Sequence, residues 1–314
     1  MIELPGLVPR HAEPLVTEAL ADTRVVLVNG ARQADKSTLT RLATGRQPGA
    51  VIRLLDDPAT LQAAMDNPTG FVDHEGLMVI DEIQLVPELL RPIKVAVDLD
   101  PTPGRFLLTG SSRVLALRTL PDALPGRMEV IELWPFSQGE RSGEPDRFVD
   151  AAFRHGPSID HSSPLRRRNY LDRLVVGGFP EAIRRASRRR TAFFDSYLST
   201  LIERDVLELA SIERRGDLLR LLALLAGRAG GLLVPAALAS QSGIPRTTLM
   251  RYLELLSSVF LIKTIPAGPP DKPLAKLLGD RFVAGYVLYT GQQTLPFGEK
   301  IRAVPMDALW RLAP

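Results

Sequence analysis

Between Arg24 and Ile131, short apolar runs alternate with stretches of helical spacing. The runs are RVVLVN (24–29), VIRLL (51–55), LMVID (77–81), RFLLTG (105–110) and MEVIEL (128–133). Continuous β-rich runs separated by helical segments read as strands of a parallel sheet covered on both faces. From about 165 to 258 the period changes to that of helices, interrupted at Gly177-Gly178 and Pro180. The stretch between, RSGEPDRFVDAAFRHGPSIDHSSP (141–164), is rich in Gly, Ser, Pro and charge and reads as a linker. An apolar run, VFLIKTI (259–265), follows the helices. The tail from Pro266 adds one strand-like run, YVLYT (286–290), and a helical end, MDALWRL. The expected division is 1–140 for an α/β core, 141–164 for the linker, 165–268 for a helical domain and 269–314 for a short α/β remnant.

A chain of 314 residues is long for one core, in keeping with that division. Composition is that of an ordinary globular protein, 45% hydrophobic and 24% charged, with a net charge of +3. The six lysines are outnumbered by 33 arginines, beside heavy use of Ala, Leu and Pro. Arginine binds phosphate as a planar fork, but a GC-rich genome accounts for much of such an excess. Cysteine is absent, which excludes disulfides, thiolate metal sites and cysteine nucleophiles. The four histidines show no metal-ligand spacing. No signal-like start and no run near the ~20 apolar residues of a membrane span is present, so the expectation is a cytoplasmic protein without a membrane partner.

The first strand leads into GARQADKST. This has the layout of a phosphate-binding loop, G-x-x-x-x-G-K-[ST], over Gly30, Ala31, Arg32, Gln33, Ala34, Asp35, Lys36, Ser37 and Thr38. A loop of this kind (Walker A) needs an acid ending a neighbouring strand to hold Mg²⁺ (Walker B) and a base to orient water. GLMVIDEIQ offers Asp81 as metal partner with Ser37, and Glu82 as the base. Thr109, ending the run RFLLTG, suits a γ-phosphate sensor. Arg127, in LPGR, suits an arginine finger toward a neighbouring subunit, which would require a homo-oligomer. Singly, each is matched by a blander reading, since an Asp-Glu pair is often a solvated strand end and TGS an ordinary turn. Their order on the right elements makes the combination specific to a P-loop NTPase fold binding ATP and Mg²⁺.

GARQ with KST, DEIQLVPELL, LLTGSS, LPGR, GGFPEA and YLSTLIERDV resemble a family of bacterial and archaeal AAA-type ATPases. Its members join a P-loop core to a winged helix and a C-terminal domain similar to restriction nucleases. The resemblance runs from about 20 to 265 and resumes near 281. It implies nucleotide and metal binding by Lys36 and Ser37, acidic-pair roles for Asp81 and Glu82, and the sensor role for Thr109.

Two departures qualify that implication. Asp35 stands where the loop pattern has glycine, whose freedom lets the backbone aim N–H groups at phosphates. Aspartate tolerates left-handed dihedrals. A carboxylate about 5 Å from a phosphate charge costs ~3 kcal/mol at an effective dielectric of about 20, roughly a hundredfold in affinity. Pairing of Lys36 with Asp35 would offset part of this at the phosphate's expense. The expectation is a weakened or inactive ATPase. Second, only 41 residues follow Pro273, and Asp280, Glu299 and Asp307 begin no E-x-K pair. A nuclease activity is not expected, and the remnant should pack on the helical domain.

PAALASQSGIPRTTLMRYLELL spaces Ala239, Gly243 and Leu249 as a helix-turn-helix does, with VFLIKTI opening a wing. Arg246, Thr247, Thr248 and Arg251 would then face a DNA major groove. The runs RRR (166–168) and RRASRRR (184–190) would add nonspecific phosphate affinity, or simply form solvated helix faces. Winged folds also serve protein contacts. The competing reading is therefore a nucleotide-independent DNA-binding or scaffold protein that keeps the P-loop core as structure.

Overall fold

The structure is a computed structural model and describes residues 8–45, 49–111, 124–203, 215–265 and 278–314. Five strands, β1 (Val25–Gly30), β2 (Val51–Leu54), β3 (Met78–Asp81), β4 (Phe106–Gly110) and β5 (Met128–Leu133), form one sheet in the order β2-β3-β4-β1-β5. Every neighbouring pair is parallel. All five coincide with the apolar runs of the sequence.

Side chains alternate across a strand, and β1 divides accordingly. Val25 and Leu27 enter a core with Met78, Ile80, Phe106 and Leu108. Val26 and Val28 enter another with Leu39, Val79, Leu107 and Ile131. The first core is closed by α5 (Leu90–Leu99) through Ile93 and Val97. The second is closed by α1 (Glu13–Asp22) through Val16 and Leu20, and by α2 (Lys36–Thr44) through Leu39 and Ala43. Between these helices in the chain lie α3 (Pro58–Asp66) and the short α4 (Pro68–Phe71), on the β2–β3 crossover. This is the α/β sheet the pattern predicted, buried on both sides at its centre.

The stretch 141–164 departs from the linker expectation. After α6 (Gln138–Ser142) comes α7 (Phe148–His155), and Ala151, Ile159 and Ser163 are buried. Ile159 packs with a second sheet of β6 (Gly285–Tyr289), β7 (Leu295–Phe297) and β8 (Ile301–Pro305), ordered β6-β8-β7. The β6–β8 pair is parallel and the β7–β8 pair antiparallel. Ile159, Val304 and Ala308 centre its core, with Phe148, Ala152, Tyr286 and Leu288 around them. The C-terminal strands therefore rest on the supposed linker, while the residues after β8 also meet the helical domain, Asp307 through the Tyr170 hydroxyl and Trp310 through Tyr170 and Arg173. Residues 269–277 of the expected remnant lie outside the described residues.

The helical region comprises α8 (Arg167–Val176), α9 (Pro180–Ile183), α10 (Ser187–Leu201), α11 (Arg215–Ala226), α12 (Pro235–Ser242) and α13 (Arg246–Ser258), followed near the C-terminus by α14 (Ala308–Arg311). Leu201, Leu218, Leu221, Leu238, Leu249, Tyr252 and Leu256 form its core. Between α12 and α13, Gly243 takes a left-handed conformation (φ 71°), the turn a glycine makes without strain. Leu249 is fully buried while Arg246, Thr247 and Arg251 are exposed and Thr248 is half-buried. The expected wing strand is not formed over 259–265. Val259, Leu261 and Ile262 turn inward against the helical core instead, and that burial is what their apolar character serves.

Candidate nucleotide site

Gly30 ends β1 against β5. A Cβ there would stand 2.2 Å from the Leu133 carbonyl oxygen, so close strand pairing alone requires glycine. The loop then crosses two left-handed residues, Gln33 (φ 59°) and Asp35 (φ 62°), and enters α2 at Lys36. Asp35 thus adopts without glycine the handedness that the phosphate-loop pattern assigns to it. Its side chain makes no capping bond to α2. Helix geometry leaves the first N–H groups of α2 without intrahelical acceptors, the usual basis of anion binding at such an end.

Lys36 is buried, 6% exposed, and its ammonium folds back to donate to the carbonyls of Gly30 (3.3 Å) and Ala31 (3.1 Å). The Glu82 carboxylate lies 4.0 Å away. Burial pushes the Lys36 pKa below the ordinary value, Glu82 and Asp81 oppose that, and Arg32 reinforces it. Lys36 does not pair with Asp35 as anticipated. For Asp35, burial pushes the pKa up, the guanidinium groups of Arg10 and Arg184 pull it down, and Glu181 adds to the rise. Its electrostatic neighbours therefore belong to the N-terminal segment and to the α9 region.

The two neighbouring strand ends bring the acidic and sensor positions to the same place. Ser37 Oγ donates to Asp81 Oδ2 (2.9 Å), and the Thr109 hydroxyl donates to Asp81 Oδ1. Thr109 also accepts from the Glu82 N–H (3.0 Å). Glu82 itself is left-handed (φ 59°), which turns its carboxylate back toward Lys36. Gln84, to which no role was assigned, donates to that carboxylate and to Ser111 Oγ (3.1 Å). A cleft of about 460 Å³ opens beside this group, lined by Arg32, Gln33, Glu82 and Gln84 on one side. On the other side α10 supplies Phe193, Ser196, Tyr197 and Thr200. The Tyr197 hydroxyl donates to the Arg32 carbonyl (3.4 Å), joining the helical region to the loop.

Lys36, Ser37, Asp81, Glu82 and Thr109 thus stand together, and Arg127 does not join them. It precedes β5, where its carbonyl accepts from Val25 N at the opposite end of β1 from the loop. Its guanidinium is already held by both oxygens of Asp98 and by the Pro125 carbonyl (3.1 Å). Arg246, Thr247, Thr248 and Arg251 lie on α13, apart from this cleft. Of the quoted motifs, Ser112 and residues 204–206 fall outside the described residues.

A hard cation is served by hydroxyl and carboxylate oxygens, and the adjoining Ser37 and Asp81 oxygens are such a pair. Magnesium in phosphate sites takes one or two protein oxygens and fills the rest with water and phosphate. A buried ammonium held among the described residues by two carbonyls and a carboxylate at 4.0 Å is likewise suited to a phosphate. The residues present fit Mg²⁺ and a nucleotide.

Comparison with known proteins agrees for the first half of the chain. Residues 22–142 match the family described as AAA domain, and residues 167–278 match a domain of unknown function (DUF8612). The stretch that carries the phosphate-loop pattern and the five-stranded sheet is thus similar to AAA domains. Uncharacterised proteins of Mycobacterium bovis and Mycobacterium tuberculosis are 29% identical over 258 residues, 82% of this chain and 53% of theirs. The chain spans about half the length of the curated relatives it matches. Among solved structures, a Walker-type ATPase of Pyrococcus abyssi is 18% identical (TM-score 0.44, covering 81% of this chain and 90% of that one). The Thermotoga maritima RuvB Holliday junction branch migration motor is also 18% identical (TM-score 0.34, covering 82% and 90%). Among the described residues no helix is long and apolar enough to cross a membrane.

Proposed function

We propose that this protein binds Mg²⁺ and ATP at the loop of its AAA-type domain, with affinity and turnover lowered by Asp35. The observation that carries the reading is the convergence of Lys36, Ser37, Asp81, Glu82 and Thr109 at adjacent strand ends. Ser37 and Asp81 would hold the cation, which when bound supplies neutralisation of phosphate charge. Lys36 would exchange its two carbonyl partners for phosphate oxygens. Glu82 would orient water, and Thr109 would fix the Asp81 carboxylate through its hydroxyl proton and the Glu82 main-chain N–H through its lone pair. Arg127 would contribute only across subunits, after release from Asp98.

The helical domain supports a DNA-contacting role through α12 and α13, since Arg246, Thr247 and Arg251 project from a helix anchored by Leu249. A nucleotide-independent DNA-binding or scaffold protein is the second reading. It is favoured by the hydrogen bonds that Lys36 already gives to two carbonyls of its own loop. The two separate on one experiment, DNA binding measured against salt with and without Mg²⁺-ATP. A salt-steep affinity that ATP shifts supports the coupled protein, and one that ATP leaves unchanged supports the second reading.

A further inference from the structure

Arg10 precedes α1 in a segment with no sequence pattern, yet it is 5% exposed and all three of its nitrogens are used. Nε donates to Glu140 Oε1 (3.0 Å), Nη1 to the Ala34 carbonyl (2.7 Å) and Nη2 to the Trp134 carbonyl (2.6 Å). The Phe136 ring lies under its guanidinium, 4.7 Å from the ring centre. Glu140 is itself fixed, accepting from His11 N (2.7 Å) and Ser137 N (2.9 Å). The guanidinium is therefore a rigid fork whose two outer prongs grip main-chain carbonyls.

The position of one prong is what gives the contact meaning. Ala34 C=O and Asp35 N–H belong to one planar trans peptide and point in opposite directions. Holding the carbonyl against the interior aims the Asp35 N–H away from it, as a loop that donates main-chain N–H groups to phosphate requires. The peptide leads into left-handed Asp35, and left-handed Gln33 stands one residue before it, neither of them glycine. Such backbone persists when its surroundings over-determine it. The other prong reaches Trp134, whose ring meets Phe260 edge-on at 5.0 Å and the Lys263 ammonium at 5.0 Å. Lys263 also donates to Glu132 Oε2 (2.8 Å). The chain leaving α13 thus rests on the residue that shares Arg10 with the loop.

We infer that Arg10 is a positioning residue of the nucleotide site, holding the Ala34–Asp35 peptide in its donating orientation and tying it through Trp134 to the end of the helix-turn-helix. This rests on the proposed nucleotide reading for its function, though the loop geometry it concerns exists without nucleotide.

Arg10→Lys keeps a positive charge opposite Glu140 but has no fork to span both carbonyls. Arg10→Met leaves Glu140 buried without its partner and serves only as a folding control. The test combines amide hydrogen exchange of the nucleotide-free protein with titration of fluorescent ATP and Mg²⁺. In Arg10→Lys with an unchanged melting temperature, exchange over 30–38 should rise about tenfold, equal to one lost hydrogen bond of ordinary net strength. Exchange over β3 should stay as in the native protein, and the nucleotide Kd should rise by a similar factor. A folded Arg10→Lys protein with native exchange over 30–38 overturns the inference whatever its affinity. Raised loop exchange in a protein that binds no nucleotide, native or variant, keeps the positioning role and removes the nucleotide reading.

Discussion

In the five-stranded sheet every residue of β1 is buried and its alternate side chains feed two separate cores. In the three-stranded sheet β7 is exposed throughout, and burial in β8 is confined to Ala303, Val304 and Pro305. The first sheet takes its covering helices from its immediate sequence neighbours, α1 just ahead of β1 and α2 and α5 on the crossovers between strands. The second borrows its covering from α7 and Ile159, more than 100 residues earlier in the chain. It is fastened by Asp307, fully buried, which accepts from the Tyr170 hydroxyl (3.2 Å) and lies 3.1 Å from His161 Nε2. A sheet with a core on each face can carry a strained loop at the end of an inner strand. Asp307 is the buried charge among the fasteners of the second sheet, beside the Tyr286 hydroxyl that donates to the Ala152 (3.1 Å) and Gly156 (2.7 Å) carbonyls.

If the contrast holds, substitutions in the two units should differ in reach as well as size. Leu27→Ala empties a fully buried site shared by the central strands, and should cost about 2–5 kcal/mol with loss of the whole P-loop domain. Urea unfolding followed by circular dichroism measures it, and a cost below about 1 kcal/mol would contradict the burial argument. Asp307→Ala should cost about 1–3 kcal/mol by leaving Tyr170 and His161 short of an acceptor. The loss should register at Trp310, which is buried edge-on to Tyr170 at 6.3 Å, while the P-loop domain melts as before. A single cooperative loss of both units would erase the distinction drawn between them.

The smallest effect concerns Asp35 itself. Folding raises its pKa above the ordinary 3.8, chiefly by burial. The folded protein therefore holds that proton more tightly than the unfolded chain. The stabilisation this provides is present below 3.8 and is lost as pH rises through the raised value. Asp35→Asn, which keeps left-handed tolerance, should raise the melting temperature at pH 7 by about 1–2 °C, screening having reduced the effect. The gain should vanish near pH 3. A gain that is equal at both values would place the effect elsewhere than in charge.

The same contrast explains what could be read from the chain alone. Central strands buried on both faces leave unbroken apolar runs, so β1, β3 and β4 were plain, and the strand-end positions Asp81, Glu82 and Thr109 followed from them. The Lys36 loop was legible because its residues are contiguous. β7, the tripeptide Leu-Pro-Phe, carries no periodicity to read. In α7 the helical spacing of Phe148, Ala151 and Ala152 was outweighed by the surrounding Gly, Ser and Pro. VFLIKTI carries the apolar content of a strand but spends it on the helical core. Arg10 left no trace, because its partners lie 24, 124 and 130 residues away and two of them are main-chain carbonyls. The surroundings of Asp35 were equally hidden, since Arg10 and Arg184 reach it only through the fold.

The central claim is that this loop binds nucleotide through Lys36 and is held back by one carboxylate. Titration of fluorescent ATP with Mg²⁺ into the native protein, Lys36→Ala and Asp35→Gly tests it directly. The account predicts weak but measurable native binding, loss of at least about a hundredfold in Lys36→Ala, and a gain of up to about a hundredfold in Asp35→Gly. Equal affinity in all three, or none in any, would contradict it.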